Sequence, residues 1–237
     1  VFLSKQPVRM VISLKRKAIQ SLIEWKNSLD RKPLVLKGAR QVGKTWLMKE
    51  FGKTHYKNYV YFNFDEEDAL KSIFESNKNP QRIIDLLSFI ADEKIVPNET
   101  LIIFDEIQEC PNALNSLKYF KEKANTYHVI AAGSLLGTLL SQPKSYPVGM
   151  VNILNIYPLT FDEFLEATEP TLSKYYSSII KEQNIEEIFH NKLLDAYNYY
   201  LIVGGMPECV YSWITYKDPK KVSKIQNELI TIYENDF

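Results

Sequence analysis

Short apolar runs and amphipathic stretches alternate along the first two thirds of the chain. The runs are aliphatic, β-branched or aromatic, and their length is typical of strands buried in a parallel sheet. Apolar residues at helical spacing lie around them. We therefore predict an α/β fold with a doubly wound parallel sheet of five strands. The predicted strands are 34–36, 59–64, 101–104, 128–132 and 150–156, and the predicted helices are 14–29, 44–51, 66–74, 80–91 and 111–124.

The pattern changes after Pro158, where helical spacing replaces the alternation. Helices are predicted over 161–167, 172–181, 185–200 and 219–234, with an interruption at Gly204-Gly205-Met206-Pro207. We expect two parts: residues 1–157 as an α/β core with an amino-terminal helix, and residues 158–237 as a helical subdomain. Because the sequence stops in or directly after a helical run, we expect the natural protein to continue.

The stretch GARQVGKTW, residues 38–46, lies between a predicted strand and a predicted helix and matches G-x-x-x-x-G-K-[ST]. Its glycines let backbone N–H groups turn toward phosphate oxygens, at the positive end of the helix dipole. Lysine adds charge for the β- and γ-phosphates, and the threonine hydroxyl can bind Mg²⁺. The predicted nucleotide-binding residues are Gly38, Ala39, Arg40, Gln41, Val42, Gly43, Lys44, Thr45 and Trp46.

Two acids, Asp105 and Glu106, directly follow the apolar run 101–104. A parallel strand delivers them to the carboxyl edge of the sheet, where such folds bind ligands. Asp105 is predicted to hold Mg²⁺ together with Thr45, and Glu106 to act as the general base that orients and deprotonates the attacking water. The alternative for Glu106 is a surface or salt-bridged acid.

Ser134 follows the predicted strand 128–132 at the same edge. In a doubly wound sheet this position faces the γ-phosphate, so Ser134 is predicted to act in catalysis with Lys44 and Glu106, through a hydrogen bond to the phosphate or the attacking water. The alternative is a helix N-cap, since two leucines follow. The two roles are compatible.

Five blocks in order resemble AAA-type (AAA+) P-loop ATPases of the prokaryotic GxRQVGKT/DEIQ group: LVLKGARQVGKT, IIFDEIQECPNALNSLKYF, VIAAGSLLG, NIYPLTFDEFL and GGMPECV. The resemblance covers residues 14–237 and implies strand order 5-1-4-3-2, the cofactors ATP and Mg²⁺, and hydrolysis. Members of this group often carry a further carboxyl-terminal domain of unknown function. By resemblance, Asp105 is the Mg²⁺ carboxylate, Glu106 the base and Ser134 a sensor. Gln108 lies either near the phosphates or a subunit contact, or is a surface glutamine.

The chain has five arginines, and none follows Arg82. AAA+ ATPases usually need an arginine in trans to stabilise charge on the transferred phosphoryl group. A second copy of the chain, a partner protein, a missing carboxyl-terminal segment or Lys144 is expected to substitute; otherwise hydrolysis is slow. Two functions stay open: an ATPase that drives a conformational change in an attached domain or partner, with a DNA-related role considered, and a nucleotide-controlled switch with slow turnover.

Other functions of a P-loop are less well supported. Residues 135–160 contain no arginine, whereas the lids of P-loop kinases usually carry several. No Asn/Thr-Lys-x-Asp stretch is present to read guanine, so adenine is preferred.

Composition adds few constraints: the chain is 45% hydrophobic and 24% charged, with a formal net charge of zero. Residues 1–40 are strongly basic, which is typical either of a surface that meets DNA or of a solvated helix face. Cys110 and Cys209 form no disulfide framework, and there is neither a signal peptide nor a run of about 20 apolar residues, so a cytoplasmic protein without a membrane segment is expected.

The segment 157–165, with Phe161, Phe164 and Leu165, is interpreted as core or as a docking site for a missing domain.

Overall fold

A computed structural model of the chain describes residues 14–133, 149–179 and 185–234. The described residues form two compact units. Lys17–Tyr157 form an α/β unit, and the helical unit contains residues 14–16 together with the chain from Pro158 onward.

In its described residues, the α/β unit contains five strands, five α-helices and one 3₁₀ helix at Ile107–Glu109. The strands are β1 (Leu34–Lys37), β2 (Asn58–Asn63), β3 (Thr100–Asp105), β4 (His128–Gly133) and β5 (Asn152–Asn155). The helices are α1 (Ala18–Asn27), α2 (Lys44–His55), α3 (Asp68–Ser76), α4 (Pro80–Ala91) and α5 (Pro111–Lys123).

The five strands form one parallel sheet in the order β2-β3-β4-β1-β5. This is the order 5-1-4-3-2 viewed from the opposite side, so the predicted fold class is confirmed. Lys37, the last residue of β1, lies opposite Gly133 of β4, and Asp105 of β3 lies opposite Asn63 of β2. The carboxyl ends of these strands therefore lie along one edge of the sheet.

The central strands β3 and β4 are buried along their whole length, as expected for parallel strands covered on both faces. The Phe104 ring packs edge-on against Phe64 and Phe74, with ring centroids 5.5 and 5.7 Å apart. Each such buried phenylalanine contributes about 1.5–3 kcal/mol relative to an exposed one. The edge strand β5 is shorter than the predicted 150–156 and alternates between half-buried and exposed residues.

Helix α4 illustrates how local signals set helix ends. Pro80 occupies the first turn, and the Asn79 side chain accepts a hydrogen bond from the backbone N–H of Gln81 at 3.0 Å. Asp92 ends the helix in the left-handed conformation. The observed bounds of α4 are those predicted from the sequence.

The helical unit contains, in its described part, α6 (Phe161–Thr168), α7 (Pro170–Ile179), α8 (Glu187–Val203), α9 (Pro207–Tyr216) and α10 (Pro219–Glu234). Helix α9 was not predicted, because the Gly-Gly-Met-Pro stretch was interpreted only as an interruption. Pro207 instead lies in the first turn of a new helix, where a missing N–H costs nothing. Cys209, Val210 and Trp213 form its buried face at helical spacing.

Helix α6 is fixed at its start by a capping box. Thr160 and Glu163 exchange side-chain-to-backbone hydrogen bonds, and Arg16 Nε lies 3.4 Å from Glu163 Oε1. Phe164 and Leu165 are buried, and the Phe161 ring packs against Tyr200. The core interpretation of segment 157–165 is therefore correct for these residues.

None of the described helices combines the length and the apolar composition needed to cross a membrane.

Candidate nucleotide-binding site

The loop between β1 and α2 has a backbone that only particular residues can adopt. A Cβ atom at Gly38 would lie 2.2 Å from the carbonyl oxygen of Ile156, so no side chain fits there. Gly43 has φ 90° and Gln41 has φ 61°, both in the left-handed region. Left-handed residues in such a loop turn backbone N–H groups to one side, which favours an anion-binding concavity at the start of a helix such as α2.

Lys44 spans this loop from its carboxyl-terminal end. Its Nζ donates hydrogen bonds to the carbonyl oxygens of Gly38 at 2.9 Å and Ala39 at 2.8 Å. Burial lowers the pKa of Lys44 below its ordinary value, and the carboxylates of Glu106 and Asp105 oppose that shift. The loop thus holds a buried ammonium group inside the curve of its backbone.

Thr45 and Asp105 connect the first turn of α2 to the end of β3. The Thr45 hydroxyl donates to Asp105 Oδ2 at 2.6 Å, and Asp105 is 2% exposed. A hydroxyl and a carboxylate oxygen are the hard oxygen ligands that Mg²⁺ prefers. The residues present therefore fit a phosphate group in the loop and a divalent cation beside it.

Tyr61 is a member of this cluster that the sequence did not identify. Its hydroxyl donates to Asp105 Oδ2 at 3.0 Å, and Lys49 Nζ lies 3.5 Å from its ring centroid. Burial and the neighbouring Asp105 raise the pKa of Tyr61, so the phenol stays protonated as a donor. Tyr61 pairs with Ile103, two residues before Asp105, which places Tyr61 and Asp105 on one face of the sheet. The sequence alone does not show that Tyr61 lies near Asp105, because this depends on β2 and β3 being neighbours in the sheet.

Glu106 begins a tight turn after β3. Its backbone is left-handed, with φ 48° and ψ 45°, and it leads into the 3₁₀ helix Ile107–Glu109. Gln108 Nε2 donates to Glu106 Oε2 at 2.6 Å. Both residues are half-buried.

The remaining predicted residues surround this cluster or lie outside it. Val42 is buried, and Trp46 is 41% exposed on the first turn of α2. Ala39, Arg40 and Gln41 are exposed loop residues. Ser134 lies outside the described residues; Gly133, directly before it, lies opposite Lys37 at the start of the loop. The structure thus brings together Lys44, Thr45, Asp105 and Glu106, whose roles stay predictions.

Basic residues near the amino terminus were considered as a DNA contact surface. Several of those described donate to acceptors within the protein: Lys15 to Glu166, Arg16 to Glu163, Lys26 to the His55 carbonyl, Arg31 to the Asn125 carbonyl and Lys32 to the Gly149 carbonyl. For Arg16, Lys26 and Arg31, which are buried or half-buried, these contacts favour a structural role over a surface open to a polyanion, whereas the Lys15 side chain stays 76% exposed.

A parallel sheet of this strand order, with a GxxxxGKT loop after β1 and an Asp-Glu pair at the end of β3, defines a P-loop nucleotide-binding domain. Residues 30–165, more than half of the chain, match the family model of the AAA domain. The chain therefore belongs to the AAA domain family, and the resemblance inferred from the sequence is confirmed at this level.

One curated relative is the uncharacterized protein MJ1544 of Methanocaldococcus jannaschii, which is 27% identical over 214 residues. The match covers 90% of this chain and 43% of the relative. The chain thus spans less than half the length of the curated relative it matches.

Three solved structures are similar at low identity. Drosophila ORC bound to DNA is 18% identical with a TM-score of 0.47, covering 90% of this chain and 58% of that chain. AMPPCP-bound DnaA from Aquifex aeolicus is 14% identical with a TM-score of 0.44, covering 92% and 68%. C. elegans PCH-2 is 14% identical with a TM-score of 0.40, covering 72% and 48%. Because all three TM-scores are below 0.5, the fold assignment rests on the strand order and the family match.

Proposed function

We propose that this chain binds ATP with Mg²⁺ and hydrolyses it, and that hydrolysis drives a conformational change in an attached domain or partner. The observation that carries the proposal is the cluster at the carboxyl edge of the sheet. It combines a buried ammonium group (Lys44), a hydroxyl–carboxylate pair 2.6 Å apart (Thr45 and Asp105) and a second carboxylate (Glu106). Membership of the AAA domain family supports it.

Binding is assigned to the loop and to the first turn of α2. Backbone N–H groups of residues 38–46 and the Lys44 ammonium would hold the phosphates. Thr45 and Asp105 would hold Mg²⁺, directly or through water. When bound, the cation neutralises charge on the phosphate oxygens.

Catalysis is assigned to Glu106. Its carboxylate would orient the attacking water and accept its proton. The left-handed backbone and the Gln108 hydrogen bond fix where this carboxylate points. Ser134 is proposed as a further contact to the phosphate or the water on the sequence argument alone.

The second candidate function is a nucleotide-controlled switch with slow turnover, and one observation favours it. In the part of the chain that the structure describes, Arg16, Arg31 and Arg82 each bond to acceptors elsewhere in the protein, and Arg40 is the arginine of the loop itself. The fifth arginine, Arg9, lies outside the described residues. An arginine that stabilises the transferred phosphoryl group would then come from a second copy of the chain or from a partner protein. Without it, ATP would bind and turn over slowly.

Steady-state ATP turnover with Mg²⁺, measured together with nucleotide affinity, tests the proposal. We expect turnover that depends on Mg²⁺ and on protein concentration, the latter because a second copy can supply the arginine. Tight ATP binding with equally slow turnover in the wild type and in Glu106→Gln would favour the switch. Failure to bind ATP would overturn both functions.

A DNA-related role is tested by adding double-stranded DNA to the same assay at two salt concentrations. Stimulation that weakens steeply with salt would support DNA as a partner, because phosphate contacts release counterions. Unchanged turnover together with no binding at low salt would remove this role.

A further inference from the structure

The turn that carries Glu106 contains a buried oxygen that no described residue pairs. Gln108 uses its Nε2 to donate to Glu106 Oε2, while Gln108 Oε1 has no hydrogen-bond partner in the described part of the chain. A buried amide oxygen without a hydrogen-bond partner carries the full cost of its lost hydration. A native protein seldom keeps such a group, so its presence calls for a reason other than stability.

A 180° rotation of the Gln108 amide group would not give Oε1 a hydrogen-bond donor. An exchange of its two ends would place Oε1 against a carboxylate oxygen of Glu106, and two acceptors would then face each other. The contact with Glu106 therefore fixes which end of Gln108 stays unpaired. The acceptor is a carboxylate oxygen, which makes a stronger hydrogen bond than a neutral carbonyl does.

The backbone conformation of the turn also supports the hydrogen bond between Gln108 and Glu106. Glu106 occupies the left-handed region, which is unfavourable for a residue with a side chain. The Glu109 N–H donates to the Glu106 carbonyl at 3.0 Å, and the fully buried Ile107 anchors the turn in the core. This conformation returns the Gln108 side chain to the residue two positions earlier. The turn therefore combines an unfavourable backbone conformation at Glu106 with a buried oxygen of Gln108 that pairs with no described residue. Both features lie in the residues that set the orientation of the Glu106 carboxylate.

We propose that Gln108 is a positioning residue for hydrolysis: its amide holds Oε2 of Glu106, so that Oε1 is the oxygen presented to the attacking water. The inference rests on the proposed role of Glu106 as the general base. A carboxylate restricted to one orientation spends a larger fraction of time in the reactive geometry than one that rotates freely.

The test is Gln108→Met, which keeps an unbranched side chain of similar length but removes both the donor and the unpaired oxygen. We expect kcat to fall about tenfold, in line with roughly 1–1.5 kcal/mol for one hydrogen bond. KM and the Kd for ATP with Mg²⁺ should stay unchanged. The midpoint of thermal unfolding should stay the same or rise, because a buried unpaired oxygen has been removed.

Gln81→Met is the matched control. Gln81 Nε2 also donates to a carboxylate, Asp85 Oδ1 at 2.8 Å, but on the exposed face of α4. Its kcat should equal that of the wild type. A second variant, Gln108→Glu, places a carboxylate beside Glu106 and should also lower kcat with nucleotide affinity retained.

The outcomes separate this inference from the proposed function. No Mg²⁺-dependent turnover in the wild type, or full turnover in Glu106→Gln, would overturn both. Turnover that depends on Glu106 but is unchanged in Gln108→Met would overturn the positioning role alone. A fall in kcat matched by a lower unfolding midpoint would identify Gln108 as structural. In the Glu106→Gln background, Gln108→Met should have no further effect.

Discussion

Polar side chains are buried at both edges of the parallel sheet, but their charges and hydrogen-bond partners differ between the two edges. At the amino edge, His128 begins β4, and its two ring nitrogens contact the Tyr56 hydroxyl at 2.6 Å and Asn98 Oδ1 at 3.3 Å. Because Asn98 Oδ1 only accepts, Nε2 of His128 carries the proton and Nδ1 accepts from Tyr56. Burial lowers the pKa of His128 to about 4 and raises the pKa of Tyr56, so both groups are neutral near pH 7.

At the carboxyl edge the polar groups are an ammonium group and two carboxyl groups. Lys44 is packed into the phosphate loop, Asp105 accepts hydrogen bonds from two hydroxyl groups, and Glu106 adopts a left-handed backbone conformation. Gln108 has a buried oxygen that pairs with none of the described residues. The histidine at the amino edge is neutral with both ring nitrogens paired, although the charges of Lys26 and Arg31 act on it and Asn98 also has a left-handed backbone. The carboxyl edge differs in setting a buried ammonium group beside two carboxyl groups and in holding a buried oxygen without a partner among the described residues. Burial of polar groups alone therefore does not mark a site, whereas this combination does.

The largest expected effect at the carboxyl edge is that of Glu106→Gln. We expect kcat to fall by about 10²–10⁴-fold with ATP affinity retained, because the amide keeps the shape of the base but cannot accept a proton. Steady-state turnover and nucleotide titration measure the two quantities. The control Glu109→Gln changes an exposed acid of the same turn and should keep wild-type turnover. Equal rates for the two variants would refute the assignment.

Lys44→Ala should weaken nucleotide binding on the order of 100-fold, since it removes a charge-assisted donor from a buried position. Titration with a fluorescent ATP analogue in the presence of Mg²⁺ measures this. Lys53→Ala, on an exposed position of the same helix, is the control and should bind as the wild type does. Unchanged affinity in Lys44→Ala would mean that the loop does not bind phosphate.

Tyr61→Phe should raise the Mg²⁺ concentration needed for half-maximal turnover about tenfold. The substitution removes a hydroxyl that donates to Asp105 Oδ2, and the outer partners of a metal-binding carboxylate typically matter by this amount. Tyr59→Phe, on the same strand and face, serves as the control. If both variants share the wild-type Mg²⁺ dependence, Tyr61 does not support the cation site.

The smallest effect on activity is expected at the amino edge. Folded His128 takes up a proton near pH 4, whereas an unfolded histidine does so near pH 6.5. Between these values the unfolded chain binds more protons, so the free energy of unfolding should fall as pH is lowered from about 6.5 to 4, with a slope of up to about 1.4 kcal/mol per pH unit.

Denaturant unfolding at a series of pH values measures that slope. His128→Gln should reduce it and leave kcat at neutral pH unchanged, whereas the exposed His190→Gln should keep it. A loss of turnover in His128→Gln with unchanged stability would break the contrast between the two edges.

The sequence by itself determined the features that depend on neighbouring residues. Gly38 to Thr45 form a phosphate loop because glycines at fixed positions, a following helix and a lysine are all local properties. The ends of α4 follow from Asn79 and Pro80 for the same reason. The strand order came from the resemblance to AAA+ ATPases, since spacing alone does not specify which strands pair.

Only the tertiary structure decided the contacts between residues that the chain brings together from a distance or through a special backbone conformation. Tyr61 reaches Asp105 because β2 and β3 are neighbours in register, a fact that no local pattern contains. Gln108 reaches Glu106 because Glu106 adopts a left-handed conformation, which propensity does not favour for glutamate and which the buried Ile107 helps to hold. Pairing and strain are settled by packing of the whole sheet, so the residues that surround the predicted base and metal ligand became visible only in the folded chain.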